Sequence, residues 1–264
     1  MFLLISRWPA TPIGRATAAA LLALWFGLPA PSVSASTLGS HTLLAHEDGN
    51  GPSIATTAPI TTAVSGSSLI AFSAGYTDNN QPPTDSESNA WMQLGDAVVY
   101  RGYNGEFNVK AYVALHATGG AAHTVTISKN GVPAGEITIP FIEIRQASTL
   151  QSVAQNYPAA SSTLTSGTVT TTGPATLVAV WWGDATGLQH SALPDNGFAI
   201  IENFVDLPPN SAVQCVVAYR EVSASGTYHV SWTTSPAQGA PLWLLAFQTD
   251  SDRIFMNGFD GADG

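Results

Sequence analysis

Charge is scarce in this sequence. Only 10% of its 264 residues are Asp, Glu, Lys or Arg, against roughly 25% in an ordinary soluble domain. A coiled coil is excluded, because it is built on abundant Glu, Lys and Leu. Basic residues are scarcer still: 8 Lys and Arg face 18 Asp and Glu, for a net charge of −10. Phosphate recognition needs a basic surface, so the chain is not read as a nucleic-acid binder. There is one cysteine, Cys215, which excludes a disulfide framework and any zinc site built from several thiolates. Neither Gly-x-Ser-x-Gly nor His-Glu-x-x-His occurs, so the common signatures of serine and zinc hydrolases are missing. No window has the period of a long amphipathic helix, and no fixed-length repeat is visible. What is abundant is apolar: 45% of residues are hydrophobic, enough for a core and too many for a charge-driven disordered chain.

Residues 1–35 read as a secretory signal. Arg7 and Arg15 give a positive start, Ala16 to Leu28 is an apolar run of h-region length, and Val33-Ser34-Ala35 offers a cleavage site before Ser36. Losing Arg7 and Arg15 with that leader leaves six basic residues against 18 acidic ones, a mature charge of −12. The expected product is secreted or cell-surface, carries no membrane span, and repels anionic polymers. Residues 36–57 form a polar segment. Residues 58–248 are expected to form the domain, and 249–264 an acidic tail.

That domain reads as all-β. Short runs rich in Val, Ile, Thr and aromatics recur between turn residues: Ile60–Val64, Ser68–Ala74, Ala97–Tyr100, Val109–His116, His123–Ser128 and Glu136–Arg145, then Gly167–Thr172, Ala175–Trp182, Phe198–Phe204, Ser211–Val222, Gly226–Thr234 and Pro241–Gln248. Val125 and Ile127 alternate with threonines, and Tyr228, Val230 and Trp232 share one face. Lys129-Asn130-Gly131 signals a hairpin, because Asn-Gly tolerates positive φ. Pro140 predicts an edge strand or a bulge. Thr149–Gln155 is expected to form one turn of helix. Cys215 shares parity with Val213, Val217 and Tyr219 and is expected to be buried. Strands without crossover helices imply antiparallel pairing, and the expected fold is a two-sheet β-sandwich of jelly-roll type.

Several segments resemble an uncharacterised family of bacterial secreted β-sandwich domains over about residues 58–248. They are Thr61–Ile70, the Asp85 to Asn89 loop, Gly119–Val125, Glu143-Ile144-Arg145, Trp181-Trp182-Gly183-Asp184, Val217-Ala218-Tyr219-Arg220, and Gly226-Thr227-Tyr228 with Trp232. The resemblance implies a sandwich fold and export, and it brings no activity with it. The family's loop reads Asp-x-x-Gly-Asn, whereas this chain has Ser88 where Gly is usual. The ending Arg253-Ile254-Phe255-Met256-Asn257-Gly258-Phe259-Asp260 resembles a short terminal tag of exported Gram-negative proteins, and a strand-like extension fits it equally.

Three kinds of chemistry are open. Aromatic residues among polar neighbours suit a sugar ring, and Trp91, Tyr103, Trp181 and Trp182 are the candidates for a glycan or cell-surface polymer. Adjacent Trp181 and Trp182 must point to opposite faces of one strand. Oxygen-rich loops suit calcium, with Asp78, Asn80, Asp85, Glu87 and Asn89 as candidate ligands. Glu47-Asp48-Gly49-Asn50-Gly51 is a second candidate that lacks the terminal Glu of an EF-hand loop. Asp184, His190 and Asp195 are the candidate acid–base set of a hydrolase acting on an envelope or extracellular polymer. A non-catalytic binding or adhesion module taking carbohydrate is the leading reading. The hydrolase and a structural assembly subunit are its rivals.

Overall fold

Almost every residue of Ser67–Tyr76, Phe107–Ala117, Ala175–Trp181 and Leu242–Gln248 is buried. Successive strand residues face opposite sides of a sheet. A strand buried throughout therefore belongs to a sheet covered on both faces. The computed structural model describes residues 37–49, 53–76, 81–105, 107–129, 134–187, 189–207 and 211–249, and among them there are strands and no helix. The first half of the chain forms β1 (Leu38–His46), β2 (Ile54–Thr56), β3 (Ser67–Tyr76), β4 (Thr84–Asp85), β5 (Met92–Val99), β6 (Phe107–Ala117), β7 (Val125–Ser128) and β8 (Ile137–Arg145). The second half begins with β9 (Thr149–Asn156), β10 (Ser161–Thr165), β11 (Val169–Thr171), β12 (Ala175–Trp181) and β13 (Ser191–Pro194). It ends with β14 (Ala199–Phe204), β15 (Cys215–Val222), β16 (Gly226–Tyr228), β17 (Ser231–Gln238) and β18 (Leu242–Gln248).

The two halves wind alike. The first makes a five-stranded sheet in the order β1-β8-β3-β6-β5 and a three-stranded sheet β2-β7-β4. The second makes a five-stranded sheet β14-β15-β12-β18-β9 and a three-stranded sheet β10-β17-β13, with β11 and β16 as an added pair. With that pair set aside, strands one to eight of each half take the same order, 1-8-3-6-5 over 2-7-4. All the pairings are antiparallel. The chain is an antiparallel sandwich, as its pattern predicts, built twice.

The halves meet through their five-stranded sheets. Ile70, Phe72, Val109 and Ile142 from the first pack on Val178, Trp182, Val217, Trp243 and Leu245 from the second. Phe72 makes an edge contact with Trp243, ring centroids 5.8 Å apart, and lies 5.9 Å from Trp182. The outer faces are covered too. Leu69, Ala71 and Phe141 pack against Val125 and Ile127, while Leu177, Trp181 and Leu244 pack against Leu164 and Trp232. Along the seams β1 lies against β14 and β5 against β9. The first strand of each half thus meets the fifth of the other, the reciprocal pattern of a two-fold pair.

Several local expectations change. Within the polar segment, Leu38–His46 and Ile54–Thr56 join the sheets: β1 pairs with β8, and β2 pairs with β7. Thr149–Gln155 is the edge strand β9, not a helical turn, because pairing with β18 outweighs its weak local preference. Asn130 and Gly131 of the expected hairpin lie outside the described residues, and the strands on either side, β7 and β8, belong to different sheets. Pro140 sits in β8, an inner strand, yet the ladder to β3 passes from Ala71↔Phe141 to Ala74↔Thr138. The interruption falls where proline has no N–H to give. Ile60–Val64 makes one isolated bridge, Ile60↔His123. The expected leader, residues 1–35, and the tail from residue 250 lie outside the described residues.

Candidate functional site

One end of the doubled sandwich gathers the polar chemistry. The C-terminal ends of β1, β3 and β5 and the N-terminal ends of β6 and β8 lie together there, with their counterparts from the other half. The turn after β5 is Tyr100-Arg101-Gly102-Tyr103-Asn104-Gly105. It is closed by Tyr103 N–H to Tyr100 O (3.1 Å) and Phe107 N–H to Asn104 O (3.1 Å), with Gly102 at φ +84°. Tyr103 is thrown outward and is 51% exposed. One face of its ring stacks on Phe107, centroids 4.5 Å apart at 25°. Tyr76, brought opposite Phe107 by the β3–β6 register, meets that ring edge-on at 5.0 Å. Tyr76, Tyr103, Asn104 and Phe107 line a recess of about 110 Å³. Tyr103 and Asn104 are foreseeable from the turn sequence. Tyr76 and Phe107 are not, because only strand pairing brings them together.

Neither Trp181 nor Trp182 is accessible as a platform. Trp181 and Trp182 do point to opposite faces, but both faces are interior and both residues are 0% exposed. The expectation of an accessible Trp assumed a sheet with one wet side. Trp91 is half-buried against Phe141, and its indole N–H donates to Asp85 Oδ2 at 2.6 Å.

That bond belongs to a closed network at the proposed calcium loop. Asp85 Oδ1 accepts from the Glu87 N–H (2.8 Å), the Asn89 N–H (3.2 Å) and Asn89 Nδ2 (3.3 Å). Asn89 Oδ1 accepts from the Thr118 N–H at 2.8 Å. Three of the chain's own donors thus converge on Asp85 Oδ1, as in an Asx turn. Asp78 and Asn80 lie outside the described residues, as do Asn50 and Gly51 of the second calcium candidate. Among the described residues no three carboxylate, imidazole or thiol groups converge as metal ligands. Ser88 stands at φ +62°. Gly should remove about 1 kcal/mol of backbone strain there, so Ser88→Gly is expected to raise the thermal midpoint by a few degrees.

The same loop carries the nearest approach to a hydroxyl–imidazole–carboxylate row. Thr62 Oγ1 lies 2.8 Å from His123 Nδ1, and His123 Nε2 lies 3.5 Å from Asp85 Oδ1. All three side chains are buried, and the Thr62 hydroxyl also accepts the Gly120 N–H at 3.1 Å. It pins the β2-β7-β4 sheet to the chain beside it and presents no nucleophile to solvent.

Asp184, His190 and Asp195 are not brought together. Asp184 accepts from the Tyr157 hydroxyl at 3.0 Å and lies 3.9 Å from Arg101 Nη1. Arg101 stacks over the Tyr157 ring at 3.8 Å and donates to the Tyr157 and Pro158 carbonyls. The Tyr157 phenol is pushed up to about 12, mainly by burial, with the Arg101 backbone N–H opposing and Asp184 reinforcing. This is a clamp between the halves, and its Arg–Tyr partnership carried no sequence signal. Asp195 instead caps a turn, accepting the Ser231 N–H at 2.7 Å. His190 is buried, its Nδ1 makes no hydrogen bond, and burial holds its pKa below the ordinary value against the pull of Asp206. Cys215 is buried between the five-stranded sheets, as its parity predicts, and burial raises its thiol pKa well above the usual range.

One further group stands out at this end. Glu136 is only 7% exposed, and its Oε2 has no hydrogen-bond partner. Burial pushes its carboxyl pKa up to about 7; a hydrogen bond with the Ser211 side chain opposes this and the Asp48 charge adds to it. No family model, no curated protein and no solved structure matches the chain. No helix among the described residues is long and apolar enough to cross a membrane.

Proposed function

We propose that this chain is an exported, non-catalytic binding or adhesion module that takes a carbohydrate on Tyr103. The observation that carries the reading is the exposed Tyr103 ring, backed by Phe107, with the Asn104 amide and Tyr76 beside it. An aromatic face held rigid from behind offers a flat apolar surface to the C–H side of a sugar, and an adjacent amide can bond its hydroxyls. The separate structural engagements of Asp184 and Asp195 weigh against the hydrolase. The strand order 1-8-3-6 with 2-7-4 supports a jelly-roll reading of each half, with the fifth strand moved to the larger sheet.

The test uses residues 36–264 on insoluble polysaccharides and a glycan array, with calcium and then with chelator. Binding indifferent to chelator is expected, and Tyr103→Ala should weaken it about tenfold, the worth of one stacking contact, with an unchanged thermal midpoint. Tyr103→Trp should retain it. Binding lost with chelator would place the ligand at a calcium loop spanning 78–89 instead. Failure on every glycan would end the carbohydrate reading in favour of a structural assembly subunit.

A further inference from the structure

The turn that presents Tyr103 belongs to the first half, yet Arg101 ties it to the second. Arg101 Nη1 donates to the Pro158 carbonyl at 2.9 Å, and Nη2 donates to the Tyr157 carbonyl at 2.6 Å. The guanidinium lies over the Tyr157 ring, 3.8 Å from its centroid. The Arg101 N–H donates to the Tyr157 hydroxyl oxygen at 3.3 Å, and that hydroxyl donates to Asp184 Oδ2 at 3.0 Å. Tyr100, the residue before, meets the same ring edge-on from the buried side, centroids 6.4 Å apart. Gly239 leaves room for the arrangement, since a Cβ there would run into Asp184 Oδ2 and Arg101 Nη1. These partners suit an arginine. A planar guanidinium stacks on a ring and gives N–H groups to two fixed carbonyls at once, whereas a lysine ammonium is a point charge. The Arg101–Asp184 ion pair, at 3.9 Å with Arg101 half exposed, adds little by itself. Position is what counts. Arg101 stands two residues before Tyr103, inside the turn that the Tyr103 N–H closes on the Tyr100 carbonyl.

We propose that Arg101 is the positioning residue of the carbohydrate site: it seats the Tyr100–Tyr103 turn on the second half, and Tyr103 binds at full strength only while that seat is made. The proposal rests on the carbohydrate reading of Tyr103 and deepens it. Tyr76, Tyr103, Asn104 and Phe107, which line the recess, all come from the first half. The second half acts on the site from behind, through Tyr157 and Pro158. Fixing the turn before the ligand arrives removes an ordering cost from binding, which is how a residue without ligand contact raises affinity.

Two measurements on residues 36–264 test it, one with ligand and one without. The ligand is the array glycan that the unaltered chain binds most tightly. Arg101→Ala should weaken that binding about fivefold, and Arg101→Lys should restore little of it. Adding Arg101→Ala to Tyr103→Ala should weaken binding no further, because Arg101 acts through Tyr103. Additive losses would mean that Arg101 touches the glycan or that the whole fold is loosened, and would overturn the proposal. Without ligand, the Tyr103 and Phe107 amides should exchange about tenfold faster in Arg101→Ala while those of Val109–Val113 hold their rates. Tyr157→Phe, which keeps the ring and the carbonyls, should quicken the Arg101 amide alone. Unchanged exchange at Tyr103 and Phe107 overturns the proposal whether or not a glycan binds. Faster exchange there in a chain that binds no glycan keeps the seat and overturns the carbohydrate reading instead.

Discussion

Glu143→Ala should cost the fold about 3–5 kcal/mol, the range for breaking a buried, fully engaged charge. The reason lies in what the carboxylate holds. Glu143 is on β8 and wholly buried. Its Oε1 accepts the Ala63 N–H at 2.7 Å and the Ser67 hydroxyl at 2.8 Å. Its Oε2 accepts the Ser40 N–H at 3.2 Å and Arg145 Nε at 3.1 Å. One side chain thus ties β1, β3 and the link between β2 and β3 to the middle of a sheet. Gly39 leaves the room for it, since a Cβ there would run into the carboxylate. Alanine would strand donors that water cannot easily reach, and each buried orphan costs about 1–3 kcal/mol. Arg145→Ala is the contrast: that side chain is half exposed, and its loss should cost below about 1 kcal/mol. Urea denaturation of the two variants measures both. Similar midpoints for Glu143→Ala and the unaltered chain would mean that the carboxylate is not what closes this corner.

Glu143 also marks how far the sequence can be read. It lies in an apolar run, Ile137–Arg145, that reads as a strand from composition alone. The alternations at Val125 and Ile127 and at Val230 and Trp232 are likewise visible locally, and both pairs do face the interior. Strand existence is a local property wherever the residues are β-branched or aromatic. It is not local for Ser161–Thr165 or Thr149–Asn156, whose polar residues become strands because a neighbour pairs with them. Sheet membership is less local still. Nothing around Asn130 distinguishes a hairpin from a passage between two sheets, and nothing around Trp181 says that its outer face will be covered by Trp232. The doubled winding shows only in the sheet orders, because the equivalent strands no longer share residues: Ser67–Tyr76 and Ala175–Trp181 hold the same place with different side chains.

The site follows the same division. Tyr103 and Asn104 are legible because turn formers beside an aromatic residue throw it to the surface. Phe107 and Tyr76 complete the recess through a pairing 31 residues apart in sequence, a separation at which local patterns are silent. The oxygen-rich stretch from Asp85 to Asn89 is ambiguous in principle, since a calcium loop and a self-capped turn draw on the same residues. Here the Glu87 and Asn89 N–H groups point at Asp85.

The contribution of Glu136 to stability should fall as the pH rises from about 4.5 to about 7. Its carboxyl titrates near 7 in the fold against an ordinary value of 4.5. The folded chain therefore holds this proton more tightly than the unfolded chain does. The resulting stabilisation is complete below about 4.5 and is lost as the pH passes through 7, for a total of about 3 kcal/mol. Two other groups act oppositely. Burial lowers the pKa of His46, helped by the Lys129 charge, and burial lowers that of His190. Each binds its proton more readily when unfolded, so each destabilises the fold as the pH falls below about 6.5. The unaltered chain should therefore show a shallow maximum, with losses on both sides. Glu136→Gln isolates the acidic group. Its neutral amide occupies the same volume and cannot ionise, so the variant should match the parent near pH 4.5 and exceed it by up to about 3 kcal/mol at pH 8. The measurement is the urea midpoint of both proteins across pH 4.5–8. A constant difference between them would show that Glu136 is ionised in the fold throughout, and its carboxylate would then need a partner that Ser211 alone does not supply.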